Sequence, residues 1–222
     1  MTVTEDRWTL RPSSVVITKS EVLIGQAGSR YNWWVPLLAA LKTAVVGRKC
    51  TKIAVVGVPC VVQALARIRS SDNDLLRPYA RAIRLVVGLF CTESFDYAAL
   101  VPGKLKSQYR IEPNEIRKLD VKGKLEILKQ DGSTTIVPLA ELDDCIRKGC
   151  HYCTDLTAVY ADISAGAISS PAGSTTLVVR TPAGKGFFDS AVRDHKLVLG
   201  EPADEKAIRK LAAMKIKKNS KK

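Results

Sequence analysis

Four cysteine residues occur in sequence contexts that could place their thiols around one metal centre. Cys60 closes the segment Val-Gly-Val-Pro-Cys, Cys91 closes Val-Gly-Leu-Phe-Cys, and Cys150 and Cys153 form a Cys-x-x-Cys pair. Two residues between thiols allow both sulfurs to face one metal while the backbone amides of the turn donate to them. Thiolates arranged in this way hold either an iron–sulfur cluster or a zinc ion. The spacing alone leaves that choice open.

The Cys150 and Cys153 pair admits a second interpretation, as a redox couple of the thioredoxin type. Such a motif follows a strand and opens a helix, whereas here a short predicted helix, residues 139–147, leads into the pair. We therefore expect metal ligation. The remaining cysteines, Cys50 and Cys145, are expected to be small buried hydrophobic residues and not ligands.

Two predicted strands position Cys60 and Cys91. Residues 52–57 and 83–90 are largely apolar runs rich in β-branched side chains, which is typical of strands buried on both faces of a parallel sheet. Each cysteine lies in the turn that follows its strand. In open parallel sheets, ligands bind at the carboxyl ends of the strands, so both thiols are expected at a ligand-binding edge.

The rest of the chain predicts a mixed architecture. Helical spacing of apolar residues, or a short helical turn, is expected over 34–46, 61–69, 95–100 and 139–147. Polar and apolar residues alternate over 116–121, 124–129 and 134–138, which predicts hairpin strands with a turn at Asp131-Gly132. Further strands are expected over 161–166 and 175–180, followed by a final strand–helix pair. The predicted fold class is α/β, with a mixed, largely parallel sheet flanked by helices and a small hairpin insertion.

Composition limits the class of protein. With 222 residues, 46% of them hydrophobic, the chain can bury a full core as one large domain or two small ones. No apolar run approaches the length of a membrane span, and the run around residues 53–58 is strand-sized, so no membrane span is expected. The first residues lack the build of a secretory signal, and six cysteines in so apolar a chain do not make a disulfide scaffold. We therefore expect a cytoplasmic protein with reduced thiols.

The net charge of +13 is concentrated partly at the end of the chain, where residues 206–222 are rich in lysine and arginine. This segment could be a nucleic-acid arm, a solvated tail, or a contact with an acidic partner subunit or an anionic cofactor. The interior lacks the aromatic pattern of a single-strand binder, which favours a solvated tail over nucleic acid. Charge alone does not choose among the three.

An ordered set of short motifs runs through the chain, namely Gly28-Ser-Arg-Tyr31, Gly57-Val-Pro-Cys60, Gly88-Leu-Phe-Cys91, Cys150-His-Tyr-Cys153-Thr-Asp155, Ala161-Asp-Ile-Ser-Ala-Gly166 and Val178-Val-Arg-Thr181 followed by Gly184. This set resembles the beta subunits of coenzyme F(420)-reducing hydrogenases and dehydrogenases. The resemblance covers nearly the whole chain and favours iron over zinc. It suggests a partial N-terminal family domain over 1–82, a C-terminal family domain over 83–205 and a basic tail over 206–222.

The resemblance implies an archaeal flavoprotein with FAD and one 4Fe-4S cluster, which oxidises or reduces the deazaflavin coenzyme F(420) within a complex of hydrogenase or dehydrogenase subunits. It assigns Cys60, Cys91, Cys150 and Cys153 as cluster ligands. It also assigns a set of cofactor-binding residues, namely Gly28, Ser29, Arg30, Tyr31, Asp162, Arg180 and Thr181.

Several of these cofactor residues have structural alternatives. Asp162 lies in an apolar strand, where burial of its charge requires a buried partner or a cofactor. Arg180 could contact a flavin pyrophosphate or form an ion pair within the protein. The resemblance also makes Asp155 a candidate cofactor-facing residue, but its carboxylate could instead cap the turn that follows it. The segment around Ser29 could be a helix N-terminus with Ser29 as its cap.

The front of the chain is expected to depart from the family, with about the first strand–helix unit missing. Such a loss would remove one wall of a flavin and deazaflavin crevice while leaving all four thiols.

Two alternative functions come from other classes of protein. One is an electron-relay subunit that holds a cluster but no flavin, and the other is a zinc-stabilised binding module whose basic tail contacts nucleic acid.

Overall fold

The computed structural model describes residues 1–28, 36–121, 123–168, 170–171 and 173–220. These residues form two compact units. The first, here the sheet unit, comprises Met1–Thr2, Leu37–Thr92 and His151–Lys222. The second, here the meander unit, comprises Val3–Pro36 and Glu93–Cys150.

The strands of the described residues, in chain order, are β1 (Thr2–Glu5), β2 (Pro12–Val15), β3 (Ile53–Gly57), β4 (Ile83–Leu89), β5 (Ile116–Val121), β6 (Lys124–Lys129), β7 (Thr134–Pro138), β8 (Ile163–Gly166) and β9 (Thr176–Val179). The α-helices are α1 (Ser20–Ile24), α2 (Leu37–Lys42), α3 (Pro59–Arg69), α4 (Arg77–Ala82), α5 (Pro182–Arg193) and α6 (Glu205–Asn219). Two π-helical segments, Thr43–Gly47 and Ala99–Gln108, and short 3-10 turns complete the described elements.

The sheet unit is built on a four-stranded mixed sheet with the order β3-β4-β8-β9. The β3–β4 and β4–β8 pairs are parallel, and β9 joins the edge antiparallel to β8. Val55 on β3 and Val86 on β4 are fully buried, as expected for parallel strands covered by helices. This architecture confirms the predicted α/β class with a mixed, largely parallel sheet.

Close packing of helix α5 on this sheet depends on Gly184. A Cβ atom at that position would lie 2.2 Å from the carbonyl oxygen of Asp162. Helix α5 begins at Pro182, and Thr181 is its N-cap. The Thr181 side-chain oxygen accepts the Gly184 N–H at 3.0 Å. The absence of a side chain at Gly184 therefore allows α5 to approach the sheet closely.

The meander unit is built on the antiparallel strands β5, β6 and β7. The β6–β7 connection turns at Gly132, which has a φ of 85°, and Asp131 accepts the N–H of Ser133 through Oδ1. Leu125 and Ile127 on β6 are fully buried in the core of this unit. The bounds of the three hairpin strands agree with the predicted ones, and the Asp131-Gly132 turn is confirmed.

Other predicted elements differ in part from the structure. Phe95 forms an isolated bridge with Ile146 and is not helical, and the helical segment there is Ala99–Gln108. Part of the predicted helix over 34–46 lies outside the described residues, and the described part begins at Leu37.

The end of the chain also differs from the expected strand–helix pair. It folds as two helices, α5 and α6, so the predicted final strand is wrong. The division into 1–82, 83–205 and 206–222 stays a prediction about family domains. No helix among the described residues is long and apolar enough to cross a bilayer.

Candidate thiol and cofactor site

Cys60 and Cys91 follow neighbouring parallel strands of the sheet unit. Gly57 at the end of β3 pairs in register with Gly88 of β4, and each cysteine lies three residues beyond its glycine. The structure thus confirms that both thiols lie at the carboxyl ends of adjacent strands. This is the edge at which open parallel sheets bind ligands.

The local setting of Cys60 differs from the predicted turn. Pro59 is the first residue of α3 because its fixed φ suits that position, so Cys60 lies in the first turn of the helix and is exposed. Cys91 lies two residues beyond β4, half-buried, and its backbone N–H donates to the carbonyl oxygen of Leu156 at 2.9 Å.

Cys153 is held in the sheet unit by helix α6. The ammonium of Lys215 lies 3.5 Å from the Cys153 Sγ and donates to the carbonyl oxygens of Cys91 and Asp155, each at 2.7 Å. The side-chain amide of Asn219 donates to the Cys153 carbonyl oxygen at 2.6 Å. Helix α6 therefore connects the Cys91 loop and the Cys153 turn.

Cys150 is the last residue of the meander unit, so the boundary between the two units falls inside the Cys-x-x-Cys motif. Its sulfur accepts the backbone N–H of Ser94 at 3.4 Å, and its own N–H donates to the Arg147 carbonyl oxygen at 2.8 Å. Hydrogen bonds from backbone amides to sulfur are a common feature of cysteines that ligate iron–sulfur clusters.

The donor chemistry of these cysteines fits a thiolate-held metal group. An ammonium lies beside one sulfur of the Cys-x-x-Cys pair, and a backbone amide donates to the other. Within the part of the chain that the structure describes, however, no three His, Cys, Asp or Glu side chains are gathered as a metal site. The four-thiol ligand set therefore stays a prediction.

The remaining cysteines, Cys50 and Cys145, differ from each other in burial. Cys145 is fully buried in the meander core, as predicted, and burial together with the nearby carboxylate of Asp144 raises its pKa to about 11. Cys50 is only half-buried, so the prediction of a buried residue is not met there.

Asp162 is 3% exposed and is bound by protein groups. The guanidinium of Arg69 donates to both carboxylate oxygens, at 3.3 and 3.0 Å. The Thr181 hydroxyl donates at 2.8 Å and the Val86 N–H at 2.7 Å. Burial by itself raises the pKa of Asp162, but these hydrogen bonds outweigh it and lower the pKa below its ordinary value. The structure thus supplies a charged partner for Asp162, the half-buried guanidinium of Arg69.

Arg180 and Thr181 join the end of β9 to the start of α5. The Arg180 guanidinium donates to the Ser164 hydroxyl at 3.2 Å and to the Thr157 hydroxyl at 3.0 Å, while the residue as a whole remains exposed. Thr181 links the Asp162 carboxylate to the first turn of α5. The two residues lie beside Asp162, so the structure brings these three predicted cofactor residues together.

The predictions for Asp155 and for the segment that begins at Gly28 have different outcomes. The carboxylate of Asp155 accepts the backbone N–H groups of Thr157 and Val159, each at 3.0 Å, so it caps the following turn as the structural alternative proposed. Gly28 lies exposed in the meander unit with a φ of 130°. Ser29, Arg30 and Tyr31 lie outside the described residues.

Comparison with known protein families extends over most of the chain. The family model for the C terminus of the coenzyme F420 hydrogenase/dehydrogenase beta subunit matches residues 50–205, and the model for the N-terminal part of the same subunit matches residues 1–42. The chain belongs to the coenzyme F(420) hydrogenase/dehydrogenase beta subunit family. The match over residues 1–42 overturns the expectation that the family's N-terminal segment is lacking.

Individual members of this family show the same relationship. An uncharacterized protein from Methanocaldococcus jannaschii is 41% identical over 96% of this chain and 59% of its own length. A subunit of the F(420)H(2) dehydrogenase of Methanosarcina mazei is 33% identical over 94% of this chain and 58% of its own length. The chain therefore spans less than two thirds of the length of these two relatives.

A solved structure agrees with the family assignment. A chain in the F(420)-reducing NiFe hydrogenase complex from Methanosarcina barkeri superposes with a TM-score of 0.88 at 30% identity, covering 99% of this chain and 77% of that chain. The α/β fold described above is thus the fold of this family member.

The family motifs do not reveal Lys215 and Asn219. Both residues lie in α6, beyond the matched range that ends at residue 205. A helical signal is nevertheless present, because Ile208, Leu211, Lys215 and Asn219 follow one another at intervals of three and four residues on one helix face. The interpretation of the basic segment as a solvated tail is therefore wrong for these two positions.

Proposed function

We propose that this chain acts as the beta subunit of a coenzyme F(420)-dependent oxidoreductase and passes electrons between a 4Fe-4S cluster, FAD and the deazaflavin coenzyme. The main support is the family assignment together with the placement of Cys60 and Cys91 at the ends of adjacent parallel strands. The relatives named as hydrogenase or dehydrogenase subunits suggest that the partners of this chain are further subunits of such a complex.

Four cysteines would hold the cluster, namely Cys60, Cys91, Cys150 and Cys153. When bound, the cluster would supply single-electron transfer and FAD would interconvert single-electron and hydride transfer. The protein's contribution is to position the four thiols. Contacts at Cys150 and Cys153 support this role, because a backbone N–H and an ammonium face the two sulfurs.

Asp162, Arg180 and Thr181 form the part of the sheet unit proposed to face a cofactor. The guanidinium of Arg180 is fixed by two hydroxyl acceptors and the residue is exposed, so it retains donor capacity for an anionic group such as a pyrophosphate. Asp162 would act on the cofactor indirectly, by fixing Thr181 and the start of α5. Gly28, Ser29, Arg30 and Tyr31 remain proposed cofactor contacts from the family motif.

The proposed function is tested with the full chain purified without oxygen. The protein is incubated with FAD, a reduced viologen dye and coenzyme F(420), and reduction of the deazaflavin is followed by loss of its absorbance. We expect reduction that depends on FAD and that disappears in Cys153→Ser but not in Cys50→Ser. Cys50 is a matched control because it is also a half-buried cysteine of the sheet unit.

Two results would contradict this function, and a third would contradict only the assignment of Cys153 as a ligand. An iron–sulfur protein that neither releases flavin on acid treatment nor reduces F(420) would be an electron relay. A colourless protein that contains zinc would be the binding module. Equal activity of Cys153→Ser and the wild type would refute the assigned ligand while leaving the activity in place.

A further inference from the structure

Helix α6 carries two buried polar side chains to which the family motifs assign no role. Lys215 and Asn219 are each 7% exposed. The other described lysines of this helix are exposed, namely Lys206, Lys210, Lys217 and Lys218. A buried ammonium is unfavourable unless hydrogen bonds and opposite charge compensate it, so the burial of Lys215 requires a specific reason.

The acceptors around Lys215 come from two loops that are distant in sequence. The Cys91 carbonyl oxygen lies 124 residues away along the chain, and the Asp155 carbonyl oxygen lies 60 residues away. Together with the Cys153 sulfur, they match the three donors of an ammonium group. Asn219, one helical turn further on, binds the backbone of Cys153 itself.

We propose that helix α6 fixes the Cys91 loop and the Cys153 turn in their relative positions, with Lys215 as the positioning residue. The Lys215 ammonium donates to the backbone of Cys91 and faces the sulfur of Cys153, so it links the positions of these two cysteines. The part of this inference that concerns the cluster rests on the proposed function. A cluster held by Cys153 becomes more negative on reduction, and the Lys215 charge stabilises that reduced form.

The first measurement is the reduction midpoint potential of the cluster in the full chain, obtained by a titration followed by electron paramagnetic resonance. We expect Lys215→Met to shift the potential to a lower value and Lys217→Met to leave it unchanged. Lys217 is a matched control because it carries the same charge on the same helix but is exposed. Lys215→Gln retains a hydrogen-bond donor without the charge, and it replaces the Met variant if that variant does not fold.

The second measurement is backbone hydrogen exchange by mass spectrometry on the full chain without metal. We expect faster exchange around Cys91 and over residues 153–157 in Lys215→Met, and no change in Lys217→Met. If the wild type holds a cluster, an unchanged potential in the Lys215 variants overturns the inference, because removal of a charge 3.5 Å from the Cys153 sulfur must shift the potential of a cluster bound there. If the wild type holds no cluster, the proposed function fails, and unchanged exchange in the Lys215 variants overturns the inference separately.

Discussion

At the scale of single residues, the buried carboxylate of Asp162 joins three elements of the sheet unit. It accepts hydrogen bonds from Arg69 on α3, from Val86 on β4 and from Thr181 at the start of α5. Removal of one partner from a buried, hydrogen-bonded charge pair leaves the other partner uncompensated. Asp162 is therefore expected to contribute to stability whether or not a cofactor binds near it.

We predict that Asp162→Asn lowers the free energy of unfolding by about 3 kcal/mol, as measured by urea denaturation at neutral pH. The matched control is Asp194→Asn, since Asp194 pairs with Arg193 in a highly exposed ion pair and its loss should change stability by less than about 1 kcal/mol. Equal effects of the two substitutions would contradict a structural role for Asp162.

The same carboxylate predicts a pH dependence of stability. The pKa of Asp162 is lower in the folded protein than its ordinary value of 3.8, so its contribution is fully present above that value. The contribution is lost as pH falls through the lower folded pKa. Acid therefore destabilises the wild type through Asp162, and Asp162→Asn should lack this component in denaturation series below about pH 4.

Sequence reasoning at this scale identifies Asp162 but not its partners. A carboxylate within an apolar strand signals that something must compensate its charge. The guanidinium that does so belongs to Arg69, which is 93 residues away along the chain. No local pattern connects the two positions, because the pairing depends on how α3 packs against the sheet.

At the scale of elements, the approach of helix α5 to the sheet is limited by Gly184. A methyl group there would lie 2.2 Å from the Asp162 carbonyl oxygen, which belongs to the backbone and cannot rotate away. Gly186 on the same helix has no heavy atom within 4 Å of its corresponding position. The two glycines thus offer the same substitution in a crowded and in an open environment.

We predict that Gly184→Ala lowers the free energy of unfolding by about 1–3 kcal/mol through overpacking. Gly186→Ala should be neutral or raise it by up to about 1 kcal/mol, because alanine has the higher helix propensity. Thermal or urea denaturation of both variants checks this expectation. A Gly184→Ala protein as stable as Gly186→Ala would show that α5 does not pack as closely as described.

The three hairpin strands can be predicted from the sequence more completely than helix α6. The strands β5, β6 and β7 alternate polar and apolar residues, and this pattern predicts their bounds. Helix α6 is harder to predict because its lysine-rich sequence resembles a solvated tail. The burial of Lys215 depends on acceptors at Cys91, Asp155 and Cys153 that become neighbours only in the folded sheet unit.

At the scale of the whole molecule, the family assignment and the four cysteines support the proposed redox function. The sequence predicts two thiols at adjacent strand ends, and the structure confirms that placement for Cys60 and Cys91. Motif spacing does not determine whether all four thiols converge, because Cys150 and Cys153 belong to different compact units. Chemical analysis of the protein is therefore the direct test of the proposed cluster.

The iron and acid-labile sulfide content of the full chain, purified without oxygen, tests the proposed four-cysteine cluster most directly. We expect about four iron atoms and about four sulfides per chain, lost in Cys153→Ser and retained in Cys50→Ser. About one zinc ion per chain without sulfide, or a wild-type iron content in Cys153→Ser, would contradict it.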